Sequence, residues 1–236
     1  MYRHPIVRLT LRAALLAALA ASIGTVQAHG PRKTPPSPFE YATIAVERND
    51  TDDDTEIVIA AKGGDEGLKY LAIVTPDGRK VVVLSSADPT VMGLREFAFE
   101  SPEPEGSQIL AAYPQGRYTF IGESVIGERF LSHARLSHQL PPAVVILNPE
   151  EDAELGTDAL TLEWSAAPGV REYIVEFENE SAEPQQVLRV NVPATQNQFA
   201  VPASMLVPGS EFQVGVGSVA QNGNIVFSEI TFSTAD

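Results

Sequence analysis

The sequence predicts an all-β protein made of two β-sandwich domains with one short helix. Three observations carry this reading. Short runs alternate apolar and polar residues: Leu160, Leu162 and Trp164 share one side of a strand, and Tyr173, Val175 and Phe177 share one side of the next. Pro-Gly, Asp-Gly and Asn-Gly turns separate the runs. One stretch, Glu105 to Tyr113, departs from the pattern, with Ile109, Leu110 and Tyr113 at helical spacing before Pro114.

Residues 1–28 read as a secretory signal. Arg3, Arg8 and Arg12 form a positive front end, Ala13 to Ile23 is apolar, and Val26-Gln27-Ala28 is a small-x-small cleavage site. The apolar run is shorter than the ~20 residues a membrane span needs, and no later stretch approaches that length. The mature chain is expected to begin at His29. Residues 29–38 form a Pro-rich tether, with prolines at 31, 35, 36 and 38. With no cysteine in the chain, no disulfide staples either domain, and each must rest on its own core.

The first sandwich is expected over residues 39–140. Its strands are Tyr41 to Val46, Glu56 to Ala60, Leu68 to Val74, Lys80 to Leu84 and Leu94 to Phe99. Pro76-Asp77-Gly78 turns the third into the fourth, because proline presets φ and glycine accepts a positive φ. After the helix, Gly116 to His138 folds as a hairpin about Ser124 to Gly127. Leu140-Pro141-Pro142 marks the domain joint, a stiff extended hinge without strand donors. The second sandwich, residues 142–234, begins with Val144 to Leu147, followed by a polar loop from Glu150 to Asp158. Two strands then flank Pro168-Gly169, and Val187 to Val192, Gln198 to Val201, Glu211 to Val219 and Ile225 to Phe232 complete seven. Asn222-Gly223 closes the last hairpin. Trp164, the only tryptophan, should be buried facing Tyr173 and Val175 across the gap between sheets.

Residues 142–234 resemble a fibronectin type III domain, on Pro142, Leu162, Trp164, Tyr173, Val175, Leu206, Pro208-Gly209, Phe212, Val214 and Val216. The family usually places a tyrosine where Phe212 stands, and its hydroxyl bonds back to the backbone as a tyrosine corner. Phe212 lacks that hydroxyl, so a weaker corner is expected. "PDGRKVV", "GLREFAFESPEP", "AAYPQGRYTFIGESVIGE" and "ARLSHQLPP" make the whole chain similar to bacterial secreted proteins of unassigned role, in which an Ig-like β domain precedes a fibronectin type III domain. That resemblance implies an exported location, periplasmic or extracellular, and no reaction.

Charge narrows the partners. Residues 1–28 hold three of the 16 bases and none of the 31 acids, leaving 13 bases against 31 acids, a net charge of −18. Such a field repels phosphate backbones, so nucleic acid is not an expected partner. A protein or glycan partner remains. Two metal readings arise. Asp50, Asp52 and Asp54, followed by Glu56, offer closely spaced carboxylate oxygens for calcium, although Thr55 and Ala61 stand where an EF-hand loop from Asp50 needs Gly and Glu. An N-terminal His29 offers an amine and a ring nitrogen for copper, with His133 or His138 as a second ligand. Against both stands the ordinary reading: a solvated acidic turn, and polar positions on an exposed strand. Catalysis is not expected. There is no cysteine nucleophile, neither G-x-S-x-G nor H-E-x-x-H occurs, and no cofactor motif is present. Asn49-Asp50-Thr51 and Asn179-Glu180-Ser181 match the N-glycosylation sequon. The expected function is therefore non-catalytic binding or scaffolding, with metal binding as the alternative. The contact surfaces would be loops at the sandwich ends and the cleft around Gln139 to Val144.

Overall fold

The alternating runs of the sequence become strands packed in facing sheets. The computed structural model describes residues 34–86, 93–103 and 106–236. The predicted signal, His29 and the first half of the tether lie outside these. In chain order the strands are β1 (Tyr41–Asn49), β2 (Asp54–Lys62), β3 (Leu68–Val74), β4 (Lys80–Ser85) and β5 (Glu96–Glu100). After the helix α1 (Gly106–Ala112) come β6 (Gly116–Ser124), β7 (Arg129–Leu136), β8 (Ile146–Asn148), β9 (Ala153–Leu155) and β10 (Leu160–Trp164). Then follow β11 (Val170–Asn179), β12 (Gln186–Pro193), β13 (Gln198–Val201), β14 (Glu211–Ala220) and β15 (Ile225–Thr234), with a 3-10 turn at Ala203–Met205. The chain is all-β with one α-helix among the described residues.

Three sheets result. One runs β4-β3-β6-β7, one runs β13-β10-β8, and a long one runs β12-β11-β14-β15-β1-β2-β5 with β9 added beside β15. They enclose two cores. Ile44, Val46, Ile57 and Ile59 of β1 and β2 face Leu71, Ile73, Tyr118 and Phe120 of β3 and β6. Leu162 and Trp164 of β10 face Tyr173, Val175, Phe177, Phe212 and Val216 of β11 and β14. Trp164 is fully buried, and its ring meets Tyr173 edge-on at 5.5 Å between centroids. The Trp164 Nε1–H has no acceptor. Leaving it unpaired costs about 1–3 kcal/mol, which burial of so large a ring offsets.

The two halves share one strand order. In each, the first, second and fifth strands form one sheet, and the fourth, third, sixth and seventh the other. Each also has a short helical segment between its fifth and sixth strands. The second half is thus a seven-strand, fibronectin type III-like sandwich, with β9 as an eighth strand. The tyrosine corner that Phe212 lacks occurs in the first half. The Tyr118 hydroxyl, near the start of β6, donates to the Pro114 carbonyl at 3.1 Å. Phe212 instead stacks on Phe232 at 5.1 Å and tilts against Phe177 at 5.0 Å.

Three local expectations change. The loop from Glu150 to Asp158 contains β9, a three-residue parallel addition at the end of β15. Ala153 and Leu155 pack against the second core, but three residues inside a polar loop are too few for their alternation to be read as a strand. Leu94 lies outside β5 and makes only an isolated bridge to Leu68. The hinge at Leu140-Pro141-Pro142 does not act alone, because β1 pairs in parallel with β15 and fuses the halves edge to edge.

That seam matches Glu47 with Ile225, Arg48 with Val226 and Asn49 with Phe227. Asn224, 1% exposed, anchors its end. The Asn224 Oδ1 accepts from the Val46 N–H at 2.9 Å, and its Nδ2 donates to the carbonyls of Ser137 at 2.8 Å and Gln139 at 2.9 Å. Ser218 adds a bond from its hydroxyl to the Pro142 carbonyl at 2.5 Å. One side chain therefore satisfies three backbone groups drawn from β1 and from the connector. Asn224→Ala leaves the buried Val46 N–H and the Ser137 carbonyl without that partner, while the Gln139 carbonyl keeps the Asn222 Nδ2 at 2.8 Å, and a buried orphan costs roughly 1–3 kcal/mol. Urea unfolding of Asn224→Ala should show a loss of roughly 3 kcal/mol and a split into two transitions. A single transition within about 0.5 kcal/mol of the parent would refute this account of the seam.

Candidate functional site

The residues singled out for metal binding are placed as follows. Asp50, Asp52 and Asp53 form the β1–β2 turn, and Asp54 opens β2 opposite Asn49. Arg48 lies among them, 3.3 Å from Asp50 and 2.6 Å from Asp53. The Asn49 Nδ2 donates to Asp52 at 3.1 Å and to Glu229 of β15 at 2.8 Å. The Asp50 N–H donates to the Phe227 carbonyl at 2.9 Å, and the Glu229 N–H donates to the Thr51 hydroxyl at 2.9 Å. These contacts clamp the turn onto β15 and make it part of the seam. Among the described residues no group of three or more His, Asp or Glu is arranged to hold a metal ion. His133 lies on β7, its Nδ1 3.2 Å from the Thr119 hydroxyl. His138 lies beyond β7, not on the same strand, and its Nε2 meets the Tyr113 carbonyl at 2.8 Å. His29 lies outside the described residues. Of the sequon asparagines, Asn179 is 2% exposed and Asn49 is committed to Glu229.

The cleft expected at the joint exists. It measures about 310 Å³ and is lined by Gln139 to Pro142, Pro168-Gly169 and Ala220 to Asn222. A neighbouring cleft of about 500 Å³ takes in Arg48, Asp53, Ser107 and His138. Its ionisable groups are already committed, Arg48 to the aspartates and His138 to the Tyr113 carbonyl. A third, more apolar groove of about 400 Å³ lies where β3 and β4 meet β5, lined by Leu71, Leu84, Leu94 and Phe97 among others.

The most distinctive surface was not visible in the sequence: the outer face of the sheet β4-β3-β6-β7. Cross-strand register places Val83, Ala72, Ile121 and Leu131 in one row from edge to edge. Val83, Ile121 and Leu131 are 52%, 38% and 39% exposed, where a soluble sheet ordinarily presents polar groups. Charge frames the row. Arg48, Lys62, Lys69, Arg79, Arg95, Arg171 and Arg189 each pair with a carboxylate. The other four described cations, Lys80, Arg117, Arg129 and Arg135, form no ion pair, and all four belong to this sheet. Arg117 and Arg135 face each other beyond Thr119 and His133, while Arg129 sits on the opposite flank beside Glu123.

The outer face of the long sheet has the opposite sign. Gly215 and Gly217 leave a trough in β14, and the Phe227 ring fills it so closely that a Cβ at Gly217 would lie 2.8 Å from the ring. The Arg189 guanidinium lies 5.8 Å from the Phe227 centroid and pairs with Glu176. Glu47 on β1 and Glu56 on β2 stand opposite each other across the adjoining strands. Burial pushes the Glu47 carboxyl up to about 7, opposed by Arg189 and reinforced by Glu56, Glu176 and Glu100. Burial and then the charges of Glu100, Glu103 and Asp54 push Glu56 up to about 7 as well. A carboxyl raised on folding binds its proton more tightly in the native state. Its contribution to stability is full below about 4.5 and is lost as pH rises toward 7. Melting curves should therefore show Glu47→Gln stabilising the protein at pH 8, by on the order of 2 kcal/mol, and having little effect at pH 4.5. Equal effects at both pH values would contradict this.

No protein-family model and no curated protein matches the chain. Solved structures similar to it include the FN1-FN3 domains of chicken CNTN1, with 13% identity and a TM-score of 0.32. That match covers 86% of this chain and 65% of the other, so the chain spans about two thirds of that structure. A two-domain fibronectin type III segment from chicken tenascin has 15% identity and a TM-score of 0.27, over 80% of this chain and 94% of the other. A structure from a bacterial ice-binding adhesin has 15% identity and a TM-score of 0.28, over 86% of this chain and 66% of that one.

Proposed function

We propose that the protein is an exported, non-catalytic binding or scaffolding protein of the bacterial envelope or the extracellular space. Its docking surface is the outer face of β3, β4, β6 and β7. One observation carries the reading: in a chain of strongly negative net charge, the four described cations without an ion pair gather on the one sheet that also exposes an aliphatic row. Unpaired arginines beside exposed aliphatic side chains are what a protein interface presents before its partner arrives. The aliphatic character of the row favours a protein over a glycan, which would call for aromatic platforms. A non-catalytic role is supported by the commitment of Arg48, Asp53 and His138 to structural bonds in the most polar of the clefts.

The test immobilises the protein and the double variant Arg117→Glu/Arg135→Glu side by side. Each is exposed to solubilised envelope proteins and to a glycan panel. The parent should retain a protein ligand whose affinity falls at least tenfold on the variant, as expected for the loss of two charge-assisted contacts at about 1 kcal/mol or more each. Equal retention by both, or a parent that binds neither an envelope protein nor a second copy of itself, would end this reading.

A further inference from the structure

The first half carries a second outer face, and the two faces complement each other. On β1, β2 and β5 the register lines up Ala45 with Val58, and Thr43 with Ala60 and Ala98, giving a shallow band of small side chains. Carboxylates border it. Glu47 and Glu56 lie at one end and Glu100 at the β5 edge. The one described cation on this face, Lys62, is held by Glu40 at 2.8 Å. On the opposite sheet of the same sandwich, larger aliphatic side chains stand proud between unpaired arginines. One face is therefore cationic with a raised apolar row, and the other is anionic with a flatter apolar band.

From this complementarity we infer that the protein self-associates head to tail, the outer face of β4-β3-β6-β7 of one copy packing on the outer face of β5-β2-β1 of the next. The inference rests on the proposed docking sheet and names its occupant as a second copy of this chain. Aligned sheet-on-sheet packing allows the aliphatic row to seat on the alanine band while Arg117 and Arg135 approach the carboxylates. Because the two faces differ, the contact is heterologous, and each copy keeps one free face after pairing. Association is open-ended and does not stop at a dimer. The area sets its strength. Four strands about 4.8 Å apart and three side-chain rows about 7 Å apart cover on the order of 400 Å² per copy. A stable standard-size interface buries about 800 Å² per partner. Self-association is accordingly weak and matters where the protein is concentrated.

Sedimentation of the purified protein between about 10 µM and 1 mM tests this. The parent should show a sedimentation coefficient that climbs with concentration past that of a dimer. The cationic-face variant Arg117→Glu/Arg135→Glu and the anionic-face variant Glu56→Lys/Glu100→Lys should each stay monomeric. Mixed in equal amounts, they should associate again, since each retains the face that the other has lost and the two reversed faces are again opposite in charge. Association in the mixture also shows that both variants are folded. Ile121→Glu, which adds a charge to the aliphatic row, should weaken parent association at least tenfold.

A parent that stays monomeric at 1 mM overturns the inference, as does either variant associating like the parent, or a mixture that does not pair. If the parent is monomeric yet still retains a foreign protein that Arg117→Glu/Arg135→Glu loses, the docking sheet stands and the second copy falls. If neither occurs, both fall.

Discussion

The parallel pairing of β1 with β15 is the constraint on which the rest of the molecule depends. Three residue pairs long, it converts two sandwiches into one body by making the first strand of one half the next strand beyond the last strand of the other. Strands at a sheet edge expose unpaired backbone groups, and here two such edges satisfy each other. Asn224 fixes the register at one end through the Val46 N–H, and the aspartate turn fixes it at the other through Phe227 and Glu229. Phe227 lies over Gly217 beneath Arg189, so the face that crosses the seam is packed as well as bonded. Pro35 to Asp236 form one compact unit, and these local devices join its two halves.

Fusing the halves also sorts their charge. The long sheet gathers carboxylates from both, with Glu47 and Glu56 beside the seam and Glu176 and Glu229 across it. Burial raises Glu176 and Glu229 above the ordinary carboxylate range too, each eased by a partner: Arg189 for the first, Asn49 and Gln213 for the second. The cost of crowding these groups is met by partial protonation and by one arginine laid across an aromatic ring. The unpaired cations fall on a different sheet, facing away from that cluster. A sandwich with opposite signs on its two outer faces is electrostatically polar even when its net charge is strongly negative.

The sequence carried strand identity well and tertiary pairing poorly. Alternation placed Trp164, Tyr173 and Val175 inward because period-two patterns report which face is apolar, and all three are buried. The helix near Ile109 was legible from its spacing. The seam was not, because β1 and β15 are far apart in sequence and each alternates like any half-buried strand. Asn224 looked like one more turn residue beside Asn222-Gly223, and nothing local announces that its side chain reaches β1. The aspartates of the β1–β2 turn suggested a cation, and the bonds they make are to Arg48, Asn49 and β15, partners that only the folded chain brings close. The cationic face was hidden for a similar reason. Arg117, Arg129 and Arg135 are scattered along the chain, and only the hairpin register sets them around Ile121 and Leu131.

The direction of the seam has a mechanical consequence. A tension applied between the start of β1 and the end of β15 pulls two parallel strands past each other along their length. Their connecting hydrogen bonds then lie crosswise to the load and share it, where an antiparallel hairpin pulled at its open end would yield one bond at a time. β9, also parallel to β15, lies in the same loading path. A three-residue element of the second half thus becomes part of a clamp against stretching between β1 and β15.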